Sequence, residues 1–176
     1  MIKKTALVIF YIFFVELAYA EEKIQGAFGI KLGQVFELSN AVGQNSLTDG
    51  TPMYEFSPEK RFRSFSRYYV LITPRSHKVY SIWGIGNQEN DPSCKKEQAL
   101  IMAILQRKYG KIEEDKISSS LFDIKQIDQG GRYIITKCSG FSNVTIDIRY
   151  KDKGLAALAE NERIQIESES VDSSSL

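Results

Sequence analysis

The chain is poor in the side chains from which most enzyme and metal sites are built. It has one histidine, His77, and two cysteines, Cys94 and Cys138. Metal sites based on imidazole or thiolate need several such ligands, so we expect no metal and no metal cofactor. A serine hydrolase needs a motif such as GxSxG and a histidine that acts as base. Neither the motif nor a well-placed base is present, so the sequence predicts no catalytic residue.

Nucleotide-binding motifs and long apolar segments are also missing. "GIGNQEN" has Gly84 and Gly86 but no third glycine for a dinucleotide fingerprint, and we interpret it as a short β-turn. The apolar run from Thr5 to Val15 has 11 residues, whereas a membrane-spanning helix needs about 20. We therefore expect no organic cofactor and no stable insertion in a membrane.

The first 20 residues have the pattern of an export signal. Lys3 and Lys4 precede the apolar run, and the segment ends with the small-x-small triplet "AYA" at residues 18–20. We predict cleavage after Ala20 and a location in the bacterial periplasm or outside the cell. The alternative is that the apolar run stays uncleaved as an anchor.

The remaining 156 residues are close to neutral, since they keep 21 of the 23 basic and 21 of the 22 acidic side chains. Nucleic-acid binding depends on a basic surface that neutralises phosphates, so we expect no nucleic-acid partner. Residues 21–167 have the length of one ordinary domain. Residues 168–176, "SESVDSSSL", are polar and are predicted to form a disordered tail.

The two cysteines are expected to form a disulfide, because an exported compartment is oxidising and the cysteine number is even. Asp91 is a suitable N-cap for a helix from Pro92 to about Tyr109, and Cys94 lies on the apolar stripe of that helix. Cys138 ends the strand-like run "GRYIITKC". The Cys94–Cys138 bond would tie the helix to the sheet. The alternative is a reactive thiolate at Cys94 in the first helical turn, which lacks a catalytic partner.

Short runs rich in β-branched and aromatic residues predict a largely antiparallel sheet. "RYYVLIT" and "KVYSIWGI" are expected to form a hairpin, and "LFDIKQI", "RYIITKC" and "VTIDIRY" a meander. "FGIKL" is predicted to be the first strand. Asp152 can cap a C-terminal helix, "KGLAALAENER". We therefore predict a single α+β domain with one disulfide, in which one long helix and the second helix pack on one face of the sheet.

Five stretches carry a resemblance to known proteins: "FGIKLG", "DGTPMYEF", "FRSFSRYYVLITPRSHKVYSIWGIGN", "CKKEQALIM" and "KCSGF". They span most of the chain after residue 20. They resemble a family of small exported bacterial proteins that has no assigned activity. The resemblance implies an envelope or secreted context, and it carries no catalytic residues.

The segment "EKRFRSFSRYY" alternates basic with aromatic side chains. Arginine and aromatic side chains dominate interface hot spots, and guanidinium groups bind anions. In the alternative interpretation, the aromatic rings enter the core and the arginines stay in water. Together with the sole tryptophan, the candidate binding residues are Arg61, Phe62, Arg63, Arg67, Tyr69 and Trp83.

These observations favour an exported, non-enzymatic binding or accessory protein of the bacterial envelope, of which an inhibitor is one form. Its partner would be a protein or another envelope component, bound by a sheet face or by the segment from Arg61 to Arg67. The alternative is a small envelope enzyme, either thiol-based at Cys94 or a carboxylate hydrolase acting on the cell wall. A hydrolase of that kind requires two carboxylates that face each other in a cleft.

The intact mass of the exported protein tests the export signal and the disulfide together. The protein is exported by its own signal and alkylated under denaturing conditions without reduction. We expect a mass that begins at Glu21, is two hydrogens light and carries no alkyl group. Two alkyl groups would contradict the disulfide, and a mass that includes residues 1–20 would contradict cleavage.

Overall fold

The computed structural model describes residues 22–114 and 124–170. The export signal predicted at residues 1–20 lies outside this range. The strands are β1 (Gly26–Ala27), β2 (Ile30–Lys31), β3 (Gly43–Ser46), β4 (Pro52–Glu55), β5 (Arg67–Ile72), β6 (Val79–Gln88), β7 (Glu113–Glu114), β8 (Ile124–Asp128), β9 (Arg132–Ser139) and β10 (Val144–Asp152). The helices are α1 (Asp91–Tyr109) and α2 (Lys153–Ser170), with a 3-10 turn at Leu38–Asn40.

One antiparallel sheet organises the fold. Its strands lie in the order β3-β4-β5-β6-β10-β9-β8-β7, while β1 and β2 form a separate small hairpin. The predicted β5–β6 hairpin and the β8–β9–β10 meander are both present, and β10 pairs with β6 to join them. The prediction of an α+β fold with a mostly antiparallel sheet and two helices is confirmed.

Helix α1 is fixed to the sheet at its N-terminus by the predicted disulfide. The bond joins Cys94 to Cys138 at the end of β9, with the two Cα atoms 6.0 Å apart. The cap of α1 is Asn90, because its Oδ1 accepts the Ser93 backbone N–H at 2.9 Å. The predicted cap, Asp91, is instead the first helical residue. The side chains that α1 buries are Cys94, Gln98, Ile101, Met102, Leu105 and Tyr109.

The two helices lie on opposite faces of the sheet, and the prediction that both share one face is wrong. On β5, Val70 belongs to the core with α1, whereas the next residue, Leu71, packs with Ala159 of α2. Neighbouring strand residues point to opposite faces, so each helix covers its own side. On the α2 side the core is small, and it consists of Leu71, Tyr80 and Ala159 with Leu47, Met53, Trp83, Leu155 and Ala156 around it.

Helix α2 is held by carboxylates at its start and in its middle. Asp152 Oδ1 accepts the Leu155 N–H at 3.0 Å, as the predicted cap requires. In the middle of the helix, Glu162 accepts hydrogen bonds from the backbone N–H groups of Arg75 and Ser76 and from the Ser76 hydroxyl, which lie in the β5–β6 turn. The helix continues to Ser170, so residues 168–170 of the predicted tail are helical, and residues 171–176 lie outside the described range.

The stretch "FGIKL" is not one strand, because a turn interrupts it. Phe28 and Gly29 have φ values of 55° and 84° and form the two-residue loop between β1 and β2. Positive φ at both loop residues is the signature of a type I′ hairpin turn. Leu32 lies beyond the hairpin and is buried in the core.

The hydrogen bonds to Glu162 predict a pH-dependent attachment of α2. Burial raises the pKa of Glu162, but the hydrogen bonds from Arg75 and Ser76 outweigh it and hold the pKa below its usual value. The resulting stabilisation is present above the unfolded-state pKa of about 4.3 and is lost as the pH falls through the lower folded-state value. We expect Glu162→Gln to lower the free energy of unfolding at pH 7 by about 1 kcal/mol, and this difference should shrink in acid.

Urea denaturation at neutral and acid pH measures this difference. The control is Glu167→Gln, which removes an exposed carboxylate from the same helix. An equal loss of stability in the two variants would contradict a specific role of Glu162.

Candidate binding site

The six residues predicted to bind a partner do not form one site. Tyr68 of β5 belongs to the core on the α1 side, so its neighbours Arg67 and Tyr69 face the α2 side. Trp83 is paired with Tyr69 across β5 and β6 and shares that face. Arg61, Phe62 and Arg63 lie in the loop before β5, where Phe62 packs against the core on the α1 side.

On the α2 side, Trp83 and Tyr69 are parts of a packed sheet surface. The Trp83 indole N–H donates to Ser81 Oγ at 2.7 Å, and the Arg149 guanidinium lies 3.9 Å from the Trp83 ring centre. Arg149 Nε in turn donates to Asp147 Oδ1 at 3.0 Å. Tyr69 is 2% exposed. The polar groups of Trp83 and Arg149 are therefore paired within this surface, which is typical of packed structural residues.

On the α1 side, the loop at residues 57–66 is fixed in place by Tyr68. The Tyr68 hydroxyl accepts the Phe62 N–H at 2.9 Å, and its single hydrogen is shared between the carbonyl oxygens of Phe62 and Phe65, each 3.1 Å away. Burial raises the pKa of Tyr68, so the hydroxyl stays protonated and available as a donor. Arg63 adds an ion pair to Glu97 of α1 at 3.7 Å. The loop is thus attached to both the sheet and the helix.

The glycines of "GIGNQEN" allow this loop to pack closely on β6, and the interpretation of this segment as a β-turn is wrong. Gly84 and Gly86 lie inside β6 and are buried. A Cβ at Gly86 would lie 1.7 Å from the carbonyl oxygen of Ser64, and one at Gly84 would lie 3.0 Å from the Phe65 ring. Only glycine allows the loop to lie this close to the strand.

An apolar pocket of about 250 Å³ opens where this loop, the β1–β2 hairpin and α1 meet. It is open to solvent, and four separate parts of the chain form its wall. The lining residues are Gly26, Ala27, Phe28, Phe62, Phe65, Ile101, Ile104, Leu105, Lys108, Tyr109, Ile148 and Tyr150. Apolar pockets with a few polar groups at the edge are the usual form of small-molecule binding sites.

Phe28 reaches this pocket through an unfavourable backbone conformation. A φ of 55° is rare for a bulky side chain, and such residues cost about 1–3 kcal/mol. The Phe28 ring is packed edge-on against Phe65, Tyr68 and Tyr150, with ring centres 4.8 to 6.3 Å apart. Strained residues of this kind concentrate at binding sites. Asn or Gly would be favourable at this turn position. Phe28 instead places an aromatic ring in the pocket wall.

The polar groups of the pocket are one ammonium and two phenols. Lys108 is the one charged residue among the described lining residues. Its Nζ lies 5.0 Å from the Tyr109 ring centre and 3.6 Å from Glu22 Oε2. The Tyr109 side chain raises the pKa of Lys108, and burial raises the pKa of Tyr150. At neutral pH the pocket edge therefore carries a single positive charge, on Lys108.

A second cavity, of about 330 Å³, lies between α2 and the sheet and has two carboxylates among its lining residues. These residues, Asp49 and Glu160, are the pair to compare with the requirements of a carboxylate hydrolase. Such an enzyme needs one carboxyl with a raised pKa as its acid. The hydrogen bond from the Thr51 N–H holds the pKa of Asp49 below its usual value, and Glu160 is paired with Arg163 at 2.9 Å. The pair is therefore suited to turn formation and ion pairing rather than to acid catalysis.

Both cysteines of the chain are held in the disulfide, so Cys94 has no thiolate to react. Within residues 22–114 and 124–170, no group of three acidic, histidine or cysteine side chains is placed to hold a metal ion. In the same ranges, no helix has both the length and the hydropathy required to cross a bilayer.

No protein-family model, no curated protein and no solved structure matches this chain. The resemblance to small exported bacterial proteins stays a prediction from the sequence.

The backbone strain at Phe28 predicts an unusual order of stability for two truncations. At a positive φ, glycine is favoured over alanine by about 1 kcal/mol, so Phe28→Gly should be more stable than Phe28→Ala. Phe62 lines the same pocket without a positive φ, and there alanine should be the more stable replacement by about 0.5 kcal/mol. Urea denaturation of the four variants measures both differences. The same order at both positions would contradict the strained turn.

Proposed function

We propose that this chain is an exported, non-enzymatic binding protein of the bacterial envelope that holds one apolar group of an envelope component in the pocket beside α1. The observation that carries the proposal is the pocket itself. Its wall is aliphatic and aromatic, it is open to solvent, and a strained residue helps to form it. This composition offers apolar surface to a ligand and little acid or base chemistry.

The geometry of the pocket is largely preformed. The disulfide fixes the N-terminal end of α1, and the Gln129 side chain fixes the other end by donating to the carbonyls of Tyr109 and Glu22 at 3.0 Å. The loop with Phe62 and Phe65 is held by the Tyr68 hydroxyl. A preformed site binds more tightly because little conformational entropy is lost on binding.

Two features support export. Stable disulfides are typical of oxidising compartments, and this chain has one between α1 and β9. The described fold also begins soon after the predicted cleavage at Ala20. The Glu22 N–H donates to the Lys108 carbonyl at 3.0 Å, and Ile24 is only 1% exposed. Cleavage at the predicted position would leave these contacts intact.

The uncharged fluorescent dye N-phenyl-1-naphthylamine, which brightens in apolar surroundings, tests the pocket. Ile104 lines the pocket and is 39% exposed, so a charged replacement should be tolerated in the fold. We expect the purified protein to bind the dye and Ile104→Asp to weaken binding at least tenfold, because the new carboxylate would lose water on ligand binding.

The matched control is Leu100→Asp. Leu100 lies one turn earlier on α1, is 42% exposed and does not line the pocket. It should leave dye affinity within about twofold of the unmodified protein. Absence of dye binding, or equal loss in both variants, would contradict the proposal.

A further inference from the structure

The position of one lysine indicates which chemical class of ligand the pocket takes. We infer that the ligand is an amphiphile with a single unbranched apolar chain and an anionic head group. The chain fills the pocket, and the head group pairs with Lys108 at the pocket edge. This inference rests on the proposed function of the pocket and specifies its ligand.

The volume of the pocket limits the apolar part to one chain. The cavity has a volume of about 250 Å³. It is smaller than typical sites for drug-sized ligands, which start near 300 Å³. A two-chain lipid exceeds this space, whereas a single short unbranched chain enters through the open side. The aromatic residues Phe28, Phe62 and Phe65 give the chain surface to contact along its length.

The charge at the pocket edge selects the head group. Lys108 Nζ is the charged group of the described lining, and half of its side chain is exposed. Besides the Tyr109 side chain, its carboxylate partner is Glu22 Oε2, which is 3.6 Å away on a side chain that is 56% exposed. An exposed pair of this length contributes little free energy, so an anionic head group can replace Glu22 at small cost. A charged partner hydrogen bonds more strongly to an ammonium than a neutral one does.

The charged side chains next to the pocket also favour an anionic head group. Arg63 follows the pocket residue Phe62, and its side chain is 73% exposed with a 3.7 Å contact to Glu97. Arg61 precedes Phe62, is exposed and donates to the Ser57 hydroxyl at 3.2 Å. The exposed Arg61 adds a positive charge to the loop next to Phe62, whereas the charge of Arg63 is paired with Glu97. A cationic head group would be repelled by Lys108, and the nearby Glu22 carboxylate lies outside the residues that line the pocket.

Titration calorimetry of the exported, disulfide-bonded protein with four short-chain probes tests the inference. Decanoate, decanol and decylamine share one chain and differ in head-group charge, and hexanoate keeps the carboxylate on a shorter chain. We expect decanoate to bind about tenfold more tightly than decanol and decylamine to bind most weakly. Each methylene removed from the carboxylate series should weaken binding by about fourfold while the chain still fits the pocket.

Variants of the lysine separate its role from that of the pocket. Lys108→Gln should reduce decanoate affinity about tenfold and leave decanol affinity unchanged, and Lys108→Glu should make decylamine the preferred ligand over decanoate. The control is Lys96→Gln, an equal charge change on an exposed residue of α1 that does not line the pocket. It should leave all affinities unchanged.

The outcomes distinguish the two proposals. If decanol and the neutral dye bind but decanoate binds no more tightly than decylamine, the pocket stands and the anionic head group is overturned. If neither decanol nor the dye binds, the pocket itself is overturned. Vesicles of phosphatidylglycerol separate a free acid from a membrane lipid. The single-chain ligand would be overturned if the protein sediments with the vesicles, Ile104→Asp abolishes this sedimentation, and decanoate does not bind.

Discussion

The pairing of β6 with β10 is the interaction on which the remaining structure depends. Eight residue pairs, from Val144 opposite Gln88 to Lys151 opposite Ser81, join the β5–β6 hairpin to the C-terminal meander. Because side chains alternate along both strands, this register places Ile82, Ile146 and Ile148 under α1 and Trp83 on the side of α2. A slip of one residue would exchange the two faces.

The same register also determines where the pocket forms. Gly84 lies opposite Ile148, and Gly86 lies opposite Ile146. Two missing side chains in the middle of a buried strand leave a shallow depression, and the Ser64–Phe65 part of the loop fills most of it. The Phe65 ring and Ile148 then form the floor of the pocket, with α1 and the Phe28 turn on either side.

Much of the fold is predictable from the sequence, because alternation and turn residues directly encode strands. Val144, Ile146, Ile148 and Tyr150 are all buried, as their alternation indicates. The position of α2 was not predictable in this way. The opposite face of β10 carries Asp147 and Arg149, and charged residues there indicate a surface in contact with water. In the structure, Asp147 is only 5% exposed. Its burial is possible because its charge is paired with that of Arg149. Pairing of charges is a property of the folded structure, and the strand pattern alone does not contain it.

The candidate site was less predictable, because its wall comes from four segments far apart in the sequence. The pattern of arginines and aromatic rings did identify Phe62, but it grouped this residue with Tyr69 and Trp83, which the sheet separates onto the other face. The usable signals were two irregularities. One was a pair of glycines in a strand-like run, and the other was a phenylalanine where a hairpin turn favours asparagine.

Each of these irregularities weakens local structure. Glycine disfavours a strand, and a bulky residue at a positive φ is strained, so both are retained only where the tertiary structure compensates for them. Here the compensation is the same in both cases. The Phe28 ring contacts Phe65, and Phe65 lies on Gly84, so the strained turn and the glycine strand support one aromatic cluster. A cluster built at the expense of local stability, with an open side and an ammonium at its edge, is the feature from which the proposed ligand binding is inferred.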